Sequence, residues 1–194
     1  MPLLWVVAGP NGSGKSTFAT RVLQPETGLP FINADLIAAR TWPGHEEAHG
    51  YEAAALAQQQ REGLLAQRVS FITETVFSHA SKNVLVADAL AGGYLVYLDV
   101  MMVPVDVTVR RVAERVATGG HTVPEEKIRA RYDRLHALIA RARDHCDRTR
   151  FFDNSSAENA FRLVATYRRG HPIGTPDWPR WAPPVYVGAD DSGR

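Results

Sequence analysis

The chain has 194 residues, 45% of them hydrophobic, with 22 Lys plus Arg against 21 Asp plus Glu and a net charge of +1. That length fits one full-sized domain with a sizeable core, and the near-neutral balance argues against nucleic acid as an obligate partner, since domains that grip phosphate backbones carry a basic excess. The single cysteine, Cys146, has no internal disulfide partner, and no apolar run approaches the ~18 residues of a membrane span, so a soluble cytoplasmic protein without a membrane partner is expected.

"LLWVVA" (3–8) is a short continuous apolar run, the mark of a strand buried on both faces, and no basic segment of a secretory signal precedes it. A helix is expected from Lys15 to about Leu23, stopped by Pro25, and then a short strand "FIN" (31–33). Residues 45–68, rich in Ala, Gln, Leu and Glu, predict a long helix. "VSFITET" (69–75) predicts a third strand and "SKNVLVADALAGG" (81–93) a helix closed by glycine. "YLVYLDVMMV" (94–103) predicts the fourth strand, and residues 104–120 a helix that opens on Pro104 and ends on Gly119 and Gly120.

The next helix, from Pro124 to about Arg148, carries an apolar stripe of Ile128, Tyr132, Leu135, Ile139, Ala142 and Cys146. "RFFDN" (150–154) predicts a fifth strand, and "FRLVATYRR" (161–169) leans to strand because Val, Thr and Tyr favour one. The Pro- and Gly-rich end argues against regular structure; Trp178 and Trp181 are expected to pin it to the core, and residues 188–194 to be disordered. The alternation of elements predicts an α/β fold, a parallel sheet of about five strands flanked by helices, in a single domain over residues 1–187.

"GPNGSGKST" (9–17) matches G-x-x-x-x-G-K-[ST] from Gly9 to Ser16, between a buried-type strand and a helix. That context separates a phosphate loop from a chance glycine-rich turn. Gly9, Gly12 and Gly14 free the backbone for close approach, and the segment through Asn11, Ser13, Lys15, Ser16 and Thr17 forms a concave anion site at a helix N-terminus. Lys15 reaches the β- and γ-phosphates and the Ser16 hydroxyl ligates Mg²⁺. With no Asn-Lys-x-Asp guanine-reading motif, ATP is expected rather than GTP. The loop alone does not separate a kinase from an ATPase or a nucleotide sensor.

Ligands of open α/β sheets sit at the carboxyl ends of the strands, and three acids fall near such ends. Asp35 follows the second strand, where a carboxylate can take the proton of an acceptor hydroxyl; it is equally well placed to cap the helix "LIAAR". Glu74 ends the third strand, either as an acceptor or Mg²⁺ contact, with Thr75 beside it, or as an acid facing solvent. Asp99 resembles a Walker-B aspartate but is followed by apolar residues, so it is expected mid-strand and paired with a basic neighbour. Arg111 and Arg115 lie four apart on one helix, and "GGHTVPEEKIRARY" (119–132) supplies a hinge and a further helix. A lid over residues 117–132 would carry cations to the phosphates, from among Arg111, Arg115, His121, Arg129 and Arg131. Each arginine also fits a solvated helix face paired with Glu125 or Glu126.

In "VVAGPNGSGKSTFA", "FINADLIA", "FITET", "RVAERVATGGHTVPEEKIRARY" and "FFDNS" the chain resembles the zeta-toxin family of P-loop kinases, in its short zeta-like branch. The resemblance implies an ATP- and Mg²⁺-dependent phosphotransferase acting on a hydroxyl of a nucleotide sugar, UDP-N-acetylglucosamine in the best-known members. It further implies Asp35 as general base, Glu74 as an acceptor contact, Arg115 as the arginine that stabilises the transferring phosphate, and Asn154 near the adenine. Two features depart from the family. His121 stands near where fuller toxins place a second lid arginine, and "TVFSH" replaces "TTL" after Glu74. The chain is also shorter than those toxins, so toxicity does not carry over, and an antitoxin is the weakest of the expected partners. Two other readings stay open: a nucleic-acid end kinase or antibiotic phosphotransferase on the same scaffold, and a nucleotide-gated binding protein with slow ATPase activity.

Overall fold

The computed structural model describes residues 1–117 and 123–187, so the Gly119–Gly120 hinge, His121 and the expected tail 188–194 lie outside the described residues. At the centre of the sheet is β1 (Leu3–Ala8). Its side chains alternate between faces: Leu4, Val6 and Ala8 enter one hydrophobic cluster, Trp5 and Val7 the other. Both faces are therefore covered, which is why the strand reads as an unbroken apolar run. Around it the order is β2 (Phe31–Ile32), β3 (Phe71–Thr75), β1, β4 (Leu95–Met102), β5 (Arg148–Asp153), β6 (Arg162–Arg168) and β7 (His171–Pro172).

The first five strands pair in parallel, but β6 and β7 add to the edge antiparallel, making a mixed seven-stranded sheet where a parallel one of about five was expected. Connection length gives the reason. Only residues 154–161 separate β5 from β6, too few for the crossover that a parallel partner needs. The β6–β7 link is a two-residue hairpin turn, Arg169–Gly170, with positive φ at both (47° and 78°). Pro172 is tolerated because β7 is an edge strand.

Helical segments α1 (Lys15–Phe18) and α2 (Gln24–Thr27) are joined by a π-helical turn, Ala19–Leu23, so the helix runs past Pro25, where the sequence predicts a stop. The proline falls in the first positions of α2 after the wider π turn, where its missing N–H costs little, and Gly28 at φ 66° ends the run instead. Then come α3 (Ala34–Thr41), α4 (Gly50–Ala66), α5 (Ser81–Ala91), α6 (Val105–Ala117) and α7 (Glu125–Arg143). Helix α4 starts five residues later than expected, residues 45–49 forming turns and a bend-free lead-in. The α7 stripe buries Ile128, Leu135, Ile139 and Ala142, with Cys146 buried just beyond the helix end.

The irregular C-terminal segment is pinned as its aromatic residues suggest. The Trp178 and Tyr186 rings lie 5.2 and 4.7 Å from Phe151, and Trp181 packs on the same cluster. Asp99 is buried in mid-strand, accepting from Trp5 Nε1 (2.8 Å) and from both Nε and Nη2 of Arg150 (2.8 and 2.7 Å). It is a structural acid, as its apolar followers indicated.

Buried His136 on α7 shares a 2.9 Å hydrogen bond with the Tyr186 hydroxyl, tying the last described segment to the core. Burial pushes this ring from its ordinary 6.5 down to about 4, partly offset by Asp133. The unfolded chain therefore takes up the proton first; the contribution of neutral His136 is full above pH 6.5 and fades as pH falls towards 4, by up to about 3 kcal/mol. Denaturant midpoints measured between pH 7.5 and 4.5 should fall accordingly, and His136→Gln should flatten that fall.

Candidate active site

At the carboxyl ends of β1, β2 and β3 opens a cleft of about 930 Å³. The loop between β1 and α1 forms its floor. Gly9 (φ 146°) lies so close to β4 that a Cβ there would stand 2.3 Å from the Met101 carbonyl oxygen, and one on Gly14 (φ 91°) would stand 2.4 Å from Asn154 Nδ2. Only glycine fits either place. Asn154, buried at the end of β5, donates to the Ser13 carbonyl (2.9 Å) and accepts from the Phe161 N–H (3.2 Å). Its amide thus braces the loop that holds Ser13 and Gly14.

Gly14 occupies the N-cap of α1 with no side-chain cap, which leaves the first-turn N–H groups of Lys15, Ser16 and Thr17 for an anion. Within the same loop, Asn11 Oδ1 and Ser13 Oγ are buried without a hydrogen-bond partner among the described residues. Lys15 is buried, its Nζ donating to the Pro10 carbonyl (2.8 Å). Glu74 accepts from the Ser16 hydroxyl at 3.0 Å, and its second oxygen is buried without a partner. Burial pushes the Glu74 carboxyl up, against the pull of Lys15; burial likewise lowers Lys15, against the pull of Glu74 and Asp35, while Arg115 lowers it further. Desolvation is the dominant cause in both residues and outweighs the attraction between them.

Asp35 sits in the first turn of α3, exposed and lining the cleft. The residue that caps this helix is Asn33, whose side-chain oxygen accepts from the Leu36 N–H (3.0 Å). With the cap supplied two residues earlier, the Asp35 carboxylate is not engaged in that role. Thr17 and Thr75 also line the cleft, Thr75 Oγ1 accepting from the Phe77 N–H (3.1 Å).

The candidate cations divide. Arg111 lines the cleft and donates to the Gly12 carbonyl at 3.4 Å, and Arg115 and Arg131 line it as well. Arg129 points elsewhere, paired with Glu125 (2.8 Å) and Asp106 (3.0 Å), so the i,i+4 alternative holds for it. His121 lies outside the described residues. Two further cations, Arg61 of α4 and Lys82 of α5, line the cleft without any signal in the sequence, because each sits in an ordinary polar helix pattern.

A family model described as an AAA domain, AAA_33, matches residues 4–138. The chain belongs to this AAA-domain family. The match contains Lys15, Asp35, Glu74, Arg111, Arg115, Arg129 and Arg131; Asn154 lies beyond it. An uncharacterized protein of Haemophilus influenzae (strain ATCC 51907 / DSM 11121 / KW20 / Rd) is 28% identical over 137 residues, 66% of this chain and 96% of that protein. Among solved structures, this AAA domain is similar to a chain of the AvrRxo1-ORF1:AvrRxo1-ORF2 complex, solved with sulphate ions and with ATP: in both, the TM-score is 0.69 at 19% identity over 89% of this chain and 60% of that one. It therefore spans about 60% of the length of that chain. The PezAT toxin–antitoxin system of Streptococcus pneumoniae gives a TM-score of 0.62 at 14% identity, covering 86% of this chain and 72% of that one. The fold of this AAA domain is accordingly of the P-loop kinase type, as the zeta-toxin resemblance implies.

Asn154→Ala should leave the Ser13 carbonyl and the Phe161 N–H without partners, lowering stability by about 2–3 kcal/mol in denaturant titrations. In calorimetric titration the same variant should bind ATP about tenfold or more weakly, because the N–H groups of the loop lose their fixed aim.

Proposed function

We propose that this AAA domain is an ATP- and Mg²⁺-dependent phosphotransferase whose acceptor is a small molecule with a free hydroxyl, a nucleotide sugar such as UDP-N-acetylglucosamine first among them. The observation that carries the reading is Asp35: a carboxylate exposed to the cleft, relieved of capping by Asn33, and close enough to Lys15 to act on its charge. A base beside the site of the γ-phosphate can take the proton that an alcohol acceptor loses as the new O–P bond forms.

The loop over residues 9–17 is suited to hold the triphosphate, Lys15 bridging the β- and γ-phosphates. The acceptor oxygen attacks the γ-phosphorus; the new O–P bond forms as the bond to the β–γ bridging oxygen breaks, ADP departs, and the hydroxyl proton passes to Asp35. Arg115, with Arg111 and Arg131 near it, offsets the charge that spreads over the equatorial oxygens. Ser16 Oγ and the Glu74 carboxylate are an all-oxygen donor set, and the unpartnered Glu74 oxygen fits a hydrated Mg²⁺ held directly or through water. Mg²⁺ held by these residues would supply neutralisation of the phosphate charge. A protein partner of antitoxin type belongs to the same reading, supported by the complexes in which AvrRxo1-ORF1 and the PezAT system are named.

Incubation with labelled ATP and a panel of UDP-sugars, nucleosides and metabolite extract should yield a product one phosphate heavier, detected by mass spectrometry. Asp35→Asn should lower that transfer by about 10²–10⁴-fold while the ATP dissociation constant stays within threefold; transfer within a few-fold of wild type would sink the base assignment. Arg115→Ala should lower kcat by about 10²-fold with little change in the acceptor KM, as expected of a group that acts on the transition state.

A further inference from the structure

Arg61 and Lys82 stand apart from the phosphoryl-transfer machinery. They come from the helices that follow β2 and β3, α4 and α5, whereas the phosphate loop follows β1. Both line the cleft, together with Gln58 and Ser78, and both are half-buried. Among the described residues neither makes a hydrogen bond or an ion pair, while Arg129, Arg143, Arg150, Arg162 and Arg169 are each paired with a carboxylate.

Electrostatics makes the pairing of these two side chains unfavourable as it stands. Burial lowers the pKa of each, and the Arg61 charge lowers that of Lys82 further. The acid acting on Arg61 is its own chain neighbour Glu62, and none offsets Lys82. Two like charges partly withdrawn from water repel; a dianion seated between them turns that repulsion into two attractions. Counting charge, two unpaired cations match a phosphate, which carries about two negative charges near neutral pH, better than a carboxylate with one.

We propose that Arg61 and Lys82 form an anion subsite separate from the nucleotide phosphates, and that the acceptor carries a phosphate group which this subsite holds while Asp35 faces its hydroxyl. The word acceptor rests on the phosphotransfer reading above; the subsite itself does not, and its test is a binding measurement.

With the nucleotide site filled by a non-hydrolysable ATP analogue and Mg²⁺, inorganic phosphate should raise the melting temperature of the wild-type protein, and acetate at equal ionic strength should not. The phosphate dissociation constant drawn from that shift should rise at least about tenfold in the double variant R61Q/K82Q and about threefold in each single variant. Analogue affinity should stay within twofold, and without phosphate the melting temperature should be no lower than wild type, because a repulsion has been removed. An unchanged phosphate shift in the double variant, an equal shift with acetate, or no shift in the loaded wild type would each overturn the subsite. Asp35→Asn should keep the phosphate shift intact. Transfer that survives in Asp35→Asn therefore counts against the base alone, and a missing phosphate shift counts against the subsite alone.

Discussion

The register of the three central parallel strands is the constraint on which the site depends. Val7 of β1 lies opposite Glu74 of β3 on one side and Asp99 of β4 on the other. Paired residues share a face of the sheet, and this face is the one covered by the helix that begins at Lys15, whose Phe18, Ala19 and Leu23 pack with Trp5 and Val7. Glu74 therefore meets Ser16 and Lys15. A slip of one residue would turn its carboxylate to the opposite face, away from the phosphate loop. Glu74 and Asp99 are equivalent by register and differ only in their neighbours. Trp5 and Arg150, the latter directly opposite Asp99 on β5, consume the hydrogen-bonding capacity of Asp99, whereas one oxygen of Glu74 stays uncommitted. The side chain that the next strand puts beside an acid on a central strand decides whether its oxygens are committed.

The cleft also concentrates charge that the composition conceals. Among the described residues, Lys15, Arg61, Lys82, Arg111, Arg115 and Arg131 line it against Asp35 and Glu74, six cations to two acids, in a chain whose net charge is +1. The rest of the molecule is correspondingly closer to neutral or acidic. A concave surface with this imbalance focuses a positive potential outwards and draws anionic ligands towards it. Near-neutral composition thus speaks against an extended nucleic-acid surface while saying nothing against a small, highly charged ligand.

Local signals carried most of the element order, and the sequence read poorly where distant contacts decide. The glycine-rich loop, the strand-end acids and the helix punctuation were legible because each is a short-range pattern with its own chemistry. Asp35 was ambiguous because capping geometry depends on where the helix starts, and a start at Ala34 hands the cap to Asn33. Arg129 and Arg131 are two residues apart on one helix, and only the helix phase sends one to Asp106 and the other to the cleft. Pro25 looks like a stop in the sequence because nothing there announces a π turn. Arg61, Lys82 and the bracing role of Asn154 were invisible, since each depends on an approach between elements far apart in the chain.

The Asn154 brace has a bearing on what counts as the unit of this protein. The segment that carries the family pattern ends at residue 138, inside α7, before β5 begins. Yet β5 is the neighbour that closes the open side of β4, and its last turn outwards holds the Ser13 carbonyl in place. A fragment trimmed to the recognisable stretch would expose an apolar strand edge and release the floor of its own binding site. The stretch that identifies the domain is thus smaller than the stretch that packs with it, since β5 and the buried Tyr186 ring lie beyond residue 138.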